Sequence, residues 1–138
     1  MEKLLELPVD RIFPVLDLYR IFLTHPDATC HFKKYEDGKS RIWVFVNCLN
    51  AKNATDPTIM LSLRCLCNVF KDMNGQFCLR EMRERVVEAV AQHLSNAKAN
   101  IREPAVTVLL NYSIAFLTKD DAEGRIQAIS AMGAIASE

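Results

Sequence analysis

Two apolar segments of this sequence each contain one asparagine, and the two asparagines lie 43 residues apart. RCLCNVF, at residues 64–70, contains Asn68, and LLNYSIAF, at residues 109–116, contains Asn111. An asparagine side chain donates and accepts hydrogen bonds, so it can pair with the main chain of an extended peptide of any sequence. An asparagine in a helix can equally form its hydrogen bonds inside the protein or with the backbone of a neighbouring repeat. Both interpretations remain open at this point.

Other polar residues follow the same spacing. A shift of 44 residues, followed by one of 43, superimposes three pairs of polar residues, and the members of each pair are four residues apart. The pairs are Arg20 with Thr24, Arg64 with Asn68, and Thr107 with Asn111. Residues four apart share one face of a helix. A period in the low forties is typical of armadillo and HEAT repeats, in which each repeat packs on the next.

We therefore predict an all-α fold, an armadillo/HEAT-like right-handed solenoid of about three helical repeats, with the three pairs lining one groove. The guanidinium groups of Arg20 and Arg64 carry charge and a fork of donors that fits a carboxylate. The ligand expected for such a groove is an extended peptide that has acidic groups or a free C-terminus.

Hydrophobic periodicity predicts helices along nearly the whole chain. The predicted helices cover residues 14–25, 27–35, 40–49, 57–73, 76–80, 81–94, 103–117 and the segment after residue 121 to about residue 136. Asp27, Asp56 and the pair at residues 120–121 are predicted to cap helices. Gly38 is predicted to form a turn, and Asn74 with Gly75 to stop a helix. The segment IWVFV at residues 42–46 also suits a strand, but helix is favoured because no partner strand is evident.

Composition argues against several classes of protein. The 17 basic and 17 acidic residues balance, so no overall field favours nucleic acid. The sequence has neither an apolar run long enough for a membrane span nor the apolar core of a secretory signal in MEKLLELPVD. The five cysteines form no regular framework, which is typical of reduced thiols. We expect a cytosolic or nuclear protein that binds neither nucleic acid nor membrane.

Two cysteine patterns could suggest chemistry, and neither has suitable geometry. Cys65 and Cys67 are two apart in a predicted helix, so they point about 200 degrees apart and cannot share a metal ion. Cys30 and His31 are adjacent, and adjacent residues of a helix face different ways. The sequence therefore predicts a protein that is not an enzyme and has no catalytic residues, metal or cofactor.

Three segments of the chain resemble the PUL domain, the C-terminal module of phospholipase-A2-activating protein and its fungal relatives. They are LELPVDRIFPVLDLYRIFLTHPD, LSLRCLCNVF and LLNYSIAF, and the resemblance extends from about Leu4 to Ile135. It implies an armadillo-like, peptide-binding adaptor domain. Its implied partner is the C-terminal tail of the valosin-containing AAA ATPase, a hexameric unfoldase of the ubiquitin system, so the implied link to ubiquitin is indirect.

The resemblance also indicates which groove residues match the family. Arg20, Arg64, Asn68 and Asn111 match, whereas this chain has Thr24 where relatives have a lysine. His25, Lys71 or Arg102 could supply that positive charge, and the sequence does not choose among them.

The family's domain is about twice as long, so residues 1–138 resemble its first half or a shortened member. An apolar stripe near the end would then lack its next repeat and expose apolar surface. The stripe consists of Ile126, Ile129, Met132, Gly133 and Ala136. We expect this C-terminal helix to pair with the missing half or with a second copy. The alternative to a peptide-binding domain is a structural solenoid that packs on other domains of its own chain.

Overall fold

The computed structural model describes residues 2–119 and 122–136, and within them the chain is helical without a strand. The α-helices are α1 (Phe13–Phe22), α2 (Tyr35–Asn50), α3 (Asp56–Val69), α4 (Met73–Glu81), α5 (Arg83–Ala91), α6 (Ala99–Lys119) and α7 (Ala122–Ala136). Two 3₁₀ helices cover Glu2–Glu6 and Pro26–His31. The prediction of an all-α fold is confirmed, and the segment IWVFV lies inside α2.

Helix α3 lies between α1 and α6 and packs against both. On its other side α3 packs against α2, which also contacts α4 and α5, and α7 packs against α5 and α6. Apolar side chains from nearly all of these helices form one buried core, in which Tyr19, Phe45, Leu66, Leu79 and Tyr112 are fully buried. The helices that contain Arg20, Arg64 and Thr107 are therefore neighbours in that order.

Two glycines that were predicted to interrupt helices lie inside them instead. Gly38 is in α2, where a Cβ atom would lie 2.6 Å from Cys78 Sγ and 3.1 Å from the ring of Phe32. Gly75 is in the first turn of α4, where a Cβ atom would lie 2.8 Å from Val69 Cγ1 and closer still to the Val69 carbonyl oxygen. The predictions of a turn and a helix stop were wrong because these glycines allow close approach between helices.

Two of the predicted N-caps are also corrected. The Thr55 hydroxyl, one residue before Asp56, accepts a hydrogen bond from the Thr58 amide and caps α3. The His25 ring caps the 3₁₀ helix Pro26–His31 by accepting from the Asp27 amide, and this short helix replaces the one predicted for residues 27–35. In both cases a proline lies in the first turn, Pro57 as the second residue of α3 and Pro26 as the first residue of the 3₁₀ helix, and the cap lies one or two residues earlier than predicted.

Several helix boundaries differ from the prediction. The break predicted between residues 80 and 81 lies at Met82, which separates α4 from α5, and α4 begins at Met73 while α5 ends at Ala91. Helix α6 begins at Ala99, four residues earlier than predicted, and Pro104 lies inside it. The predicted cap at residues 120–121 lies outside the described residues.

The last helix presents apolar side chains outward. Ile126 and Ile129 are 64% and 60% exposed, and a Cβ atom on Gly133 would meet nothing within 4 Å. Met132 departs from the prediction because it is partly buried against the core. The side chain of Ala136 lies outside the described residues. Self-association through this helix remains a prediction.

Candidate functional site

We call the outward side of α1, α3 and α6 the polar face, defined by Arg20, Thr24, Arg64, Asn68, Thr107 and Asn111. Cys65 and Cys67 show how α3 is oriented within it. The Cys65 thiol donates to the Leu16 carbonyl of α1, and the Cys67 thiol donates to the Pro104 carbonyl of α6, each over 3.5 Å. Arg64 is exposed, so the outward side of α3 faces solvent between its two neighbours.

Asn68 joins α3 to α1. Its Nδ2 donates a hydrogen bond of 2.9 Å to the carbonyl oxygen of Arg20, and the side chain is half-buried. Arg20 lies in the last turn of α1, where backbone carbonyls have no partner within the helix. The donor of Asn68 thus satisfies the end of a neighbouring helix, which is the structural alternative considered above. Among the described residues, no group donates to its side-chain oxygen, which leaves that acceptor for a ligand.

Asn111 occupies the same register at the junction of α3 and α6 and behaves differently. Its side chain is half-buried, but it makes no hydrogen bond within the described part of the chain. The carbonyl that would correspond to that of Arg20 belongs to Arg64, which lies well inside α3. That carbonyl already accepts the helical hydrogen bond four residues on. The Asn111 amide therefore keeps both its donor and its acceptor for a ligand.

The two arginines of the polar face also differ in whether the protein itself already binds them. Arg20 is bound to Asp17 of its own helix, with Nη2 and Nε at 2.6 Å and 3.1 Å from Oδ1. Arg64 is exposed and has no ion pair with any described residue. Its charge is therefore available to an anionic ligand, whereas that of Arg20 is shared with a carboxylate.

The two threonines contribute less than the sequence pattern suggests. The Thr24 hydroxyl donates to the Ile21 carbonyl over 2.7 Å, and the Thr107 hydroxyl donates to the Glu103 carbonyl over 2.9 Å. The Thr107 hydroxyl is thus tied to its own helix, and that of Thr24, which lies in the turn after α1, is tied to the end of α1. Each hydroxyl offers a ligand only an acceptor. Both residues are nevertheless exposed on the polar face.

Of the three cations that could supply the positive charge expected near Thr24, two have local partners. His25 accepts from the Asp27 amide over 3.2 Å, and its Nδ1 lies 3.5 Å from the Asp27 carboxylate. Arg102 donates to the carbonyls of residues 96 and 97 in the loop before α6. These contacts hold both side chains to their own segments of backbone.

Lys71 is the third cation. Burial raises the pKa of the Cys67 thiol to about 12, and a backbone hydrogen bond and the charges of Arg64 and Lys71 oppose this shift, so both cations act electrostatically on the same thiol. Lys71 is exposed. Its spacing of seven residues from Arg64 equals two turns of the helix predicted for residues 57–73, a signal that could have selected it from the sequence, although α3 ends at Val69.

The cysteines show no reactive environment. Burial raises the thiol pKa values of Cys48, Cys65, Cys67 and Cys78, which keeps these thiols protonated at neutral pH. Cys30 is exposed, but the adjacent His31 faces other partners, with the Tyr19 hydroxyl 3.0 Å and Arg41 Nε 2.9 Å from its Nδ1. Within residues 2–119 and 122–136, no three metal-ligating side chains form a group, and no helix is long and apolar enough to span a membrane.

Comparison with known proteins places these helices in a family. A family model described as the PUL domain matches residues 1–138. Phospholipase A-2-activating protein of Xenopus laevis is 30% identical over 93% of the chain, and the ubiquitin fusion degradation protein 3 homolog of Caenorhabditis elegans is 30% identical over 87%. The chain spans only 16% and 14% of the length of these two relatives. No solved structure matches the chain.

Proposed function

Since the chain belongs to the PUL domain family, we propose that it is a non-enzymatic domain that binds the C-terminal tail of the valosin-containing AAA ATPase. The observation that carries this proposal is the pair Arg64 and Asn111. They lie on neighbouring helices of one face, and neither makes a side-chain hydrogen bond or ion pair with the described residues. A guanidinium and an amide held in this way suit an acidic, extended peptide.

The order of the helices supports a solenoid. Helix α3 contacts both α1 and α6, and the polar pairs that recur every 43 or 44 residues lie on these three helices, except that Thr24 follows the end of α1. We propose an armadillo/HEAT-like, right-handed arrangement of about three repeats, in which these helices form one layer. Residues 1–138 would then be part of a longer PUL domain, with further repeats packed on the exposed side of α7.

Each residue of the polar face has a proposed role. Asn111 pairs with the main chain of the bound tail through both its donor and its acceptor. Arg64 and Lys71 bind its carboxylates, and Lys71 replaces the cation that Thr24 lacks. Asn68 offers its side-chain oxygen, while Arg20 assists from its pair with Asp17. In this proposal the domain works in the ubiquitin system of the cytosol or nucleus through the ATPase.

The alternative is a structural domain that packs on other parts of its own chain and binds no peptide. Two observations favour it. The donor of Asn68 is already used by the backbone of α1. The matched relatives are also far longer than this chain, so each of them has further regions on which its own matched part could pack.

Calorimetric titration with a peptide of the ATPase tail tests the proposal. We expect micromolar affinity, typical of extended tails whose ordering opposes binding. An otherwise identical peptide with an amidated C-terminus shows how much of the affinity depends on the terminal carboxylate. If neither peptide binds, the structural alternative is favoured.

The Arg64→Glu variant tests the site itself. Reversing an unpaired cation beside bound carboxylates should weaken tail binding at least about tenfold. Arg11→Glu is the matched control, because Arg11 is 79% exposed and lies before α1. Circular dichroism should show the same helicity for both variants. Equal affinity of the Arg64→Glu variant and the wild type would remove Arg64 from the site.

A further inference from the structure

An apolar cavity opens where the end of α3, helix α4 and α6 meet. Its volume is about 90 Å³. Phe70 and Tyr112 contribute to its lining, and their rings pack edge to face with centroids 4.9 Å apart. The Tyr112 hydroxyl donates to the Leu79 carbonyl over 2.7 Å, so the polar group of this ring is satisfied by the protein. The interior of the cavity is therefore suited to an apolar group.

One face of α4 forms the rim of the cavity. Met73, Phe77 and Arg80 follow each other at spacings of four and three residues, so they share that face. Met73 is 77% exposed and Phe77 is 50% exposed, so both present apolar surface to solvent at the opening of the cavity. Gln76 holds the rim to the end of α3, because its Nε2 donates to the Phe70 carbonyl over 2.7 Å.

The cavity has cations beside it. Arg80 is half-buried at the rim and has no ion pair with any described residue. Lys71 directly follows Phe70 in sequence and is exposed. If a ligand side chain fills the cavity, the ligand groups next to that side chain lie close to these positive charges. This arrangement favours a ligand that has a carboxylate beside the side chain.

The cavity is also close to the polar face. Ala115, which contributes to its lining, lies one helical turn beyond Asn111 on α6, and Lys71 follows the C-terminal end of α3, the helix that contains Arg64. A peptide bound along α3 and α6 would reach the cavity at the C-terminal end of the two helices.

We infer that this cavity is a side-chain pocket for an acidic peptide, in which one aliphatic side chain enters between Met73, Phe77 and Tyr112 and a carboxylate beside it binds Arg80. The volume supports this occupant, since an apolar cavity of roughly 150 Å³ holds benzene and the smaller one suits an aliphatic side chain. This inference rests on the proposed peptide-binding function and names an anchor that the repeated polar pairs do not include.

N-acetyl-leucine is the smallest probe that combines the two features, an aliphatic side chain and a free carboxylate. In a ¹H–¹⁵N NMR titration we expect saturable shifts of the amide signals of residues 70–80 and of Tyr112. N-acetylglycine, which lacks the side chain, should bind at least about tenfold more weakly. N-acetyl-leucinamide, which lacks the charge, should bind about threefold to fivefold more weakly.

Variants then assign the two features. Arg80→Gln should remove the difference between N-acetyl-leucine and its amide, and Met73→Ser should weaken both. Leu18→Ser is the matched control for Met73→Ser, because Leu18 is 63% exposed on α1, away from the cavity. The inference is overturned if N-acetyl-leucine shifts no amide of the cavity, or if N-acetylglycine shifts the same amides equally.

The two proposals fail separately. If the ATPase tail does not bind but N-acetyl-leucine does, the pocket stands and its peptide partner is another one. If the tail binds with equal affinity to the wild type and to the Met73→Ser and Arg80→Gln variants, the polar face stands and the pocket is not part of it. Concentration-dependent loss of the same amide signals without any probe would instead identify a second copy of the chain as the occupant and overturn the inference.

Discussion

The two helix junctions of the polar face use the same residue in different ways. At the junction of α1 and α3, Asn68 donates to the Arg20 carbonyl, whereas at the junction of α3 and α6, Asn111 makes no such bond among the described residues. Arg20 lies two residues before the end of α1, and Arg64 lies five residues before the end of α3. The position at which the neighbouring helix ends therefore decides whether the asparagine is structural or free for a ligand.

The largest effect that tests this comparison is on stability. Asn68→Ala should lower the free energy of unfolding by about 1–2 kcal/mol, because the carbonyl of Arg20 loses its partner in a half-buried place. Asn111→Ala should change it by less than about 0.5 kcal/mol, because no hydrogen bond within the protein is lost. Urea denaturation followed by circular dichroism measures both. Equal losses of stability would show that the two junctions are equivalent.

The same two variants should rank in the opposite order in binding. If the ATPase tail pairs with the free amide, Asn111→Ala should weaken its binding about threefold to tenfold, the value of one net hydrogen bond. Asn68→Ala removes only one acceptor from the ligand and should have a smaller effect. Calorimetry at a temperature where both variants are folded measures the affinities. A larger loss with Asn68→Ala would assign the ligand to the first junction.

A change of pH should have a smaller effect on the free energy of unfolding, through His31, which lies beside Tyr19 of α1. Burial and the charge of Arg41 lower the pKa of the His31 imidazole below its usual value of 6.5, and Arg41 Nε donates to its Nδ1. Because the unfolded chain binds the proton more tightly, stability should fall as the pH drops below about 6.5 and level off below the pKa of the folded state.

His31→Asn keeps an acceptor but removes the titration, so it is the control for this prediction. The difference in unfolding free energy between the wild type and this variant should shrink or reverse as the pH is lowered from 7.5 to 5. Urea denaturation at several pH values measures it. A difference that is constant with pH would contradict the role of His31.

Much of the helical content could be predicted from sequence, while the local interruptions could not. The repeat of polar pairs correctly placed Arg20, Arg64 and Thr107 on three helices, because residues four apart share a helix face. Gly38 and Gly75 were misread as turn and stop signals. A side chain at Gly38 would collide with Cys78 or Phe32, and one at Gly75 would collide with Val69. Those contacts depend on how the helices pack, so the sequence does not show them.

The sequence by itself determined the helical fold, the family and the register of the polar residues, because periodicity and motifs are local properties of the chain. Only the tertiary structure decided which of those residues are free. Asn68 is engaged and Asn111 is not because α1 ends just after Arg20 while α3 continues past Arg64. The cavity beside Arg80 likewise exists only where α3, α4 and α6 meet, since no local pattern in the sequence brings Tyr112 and Ala115 of α6 next to residues 70–80.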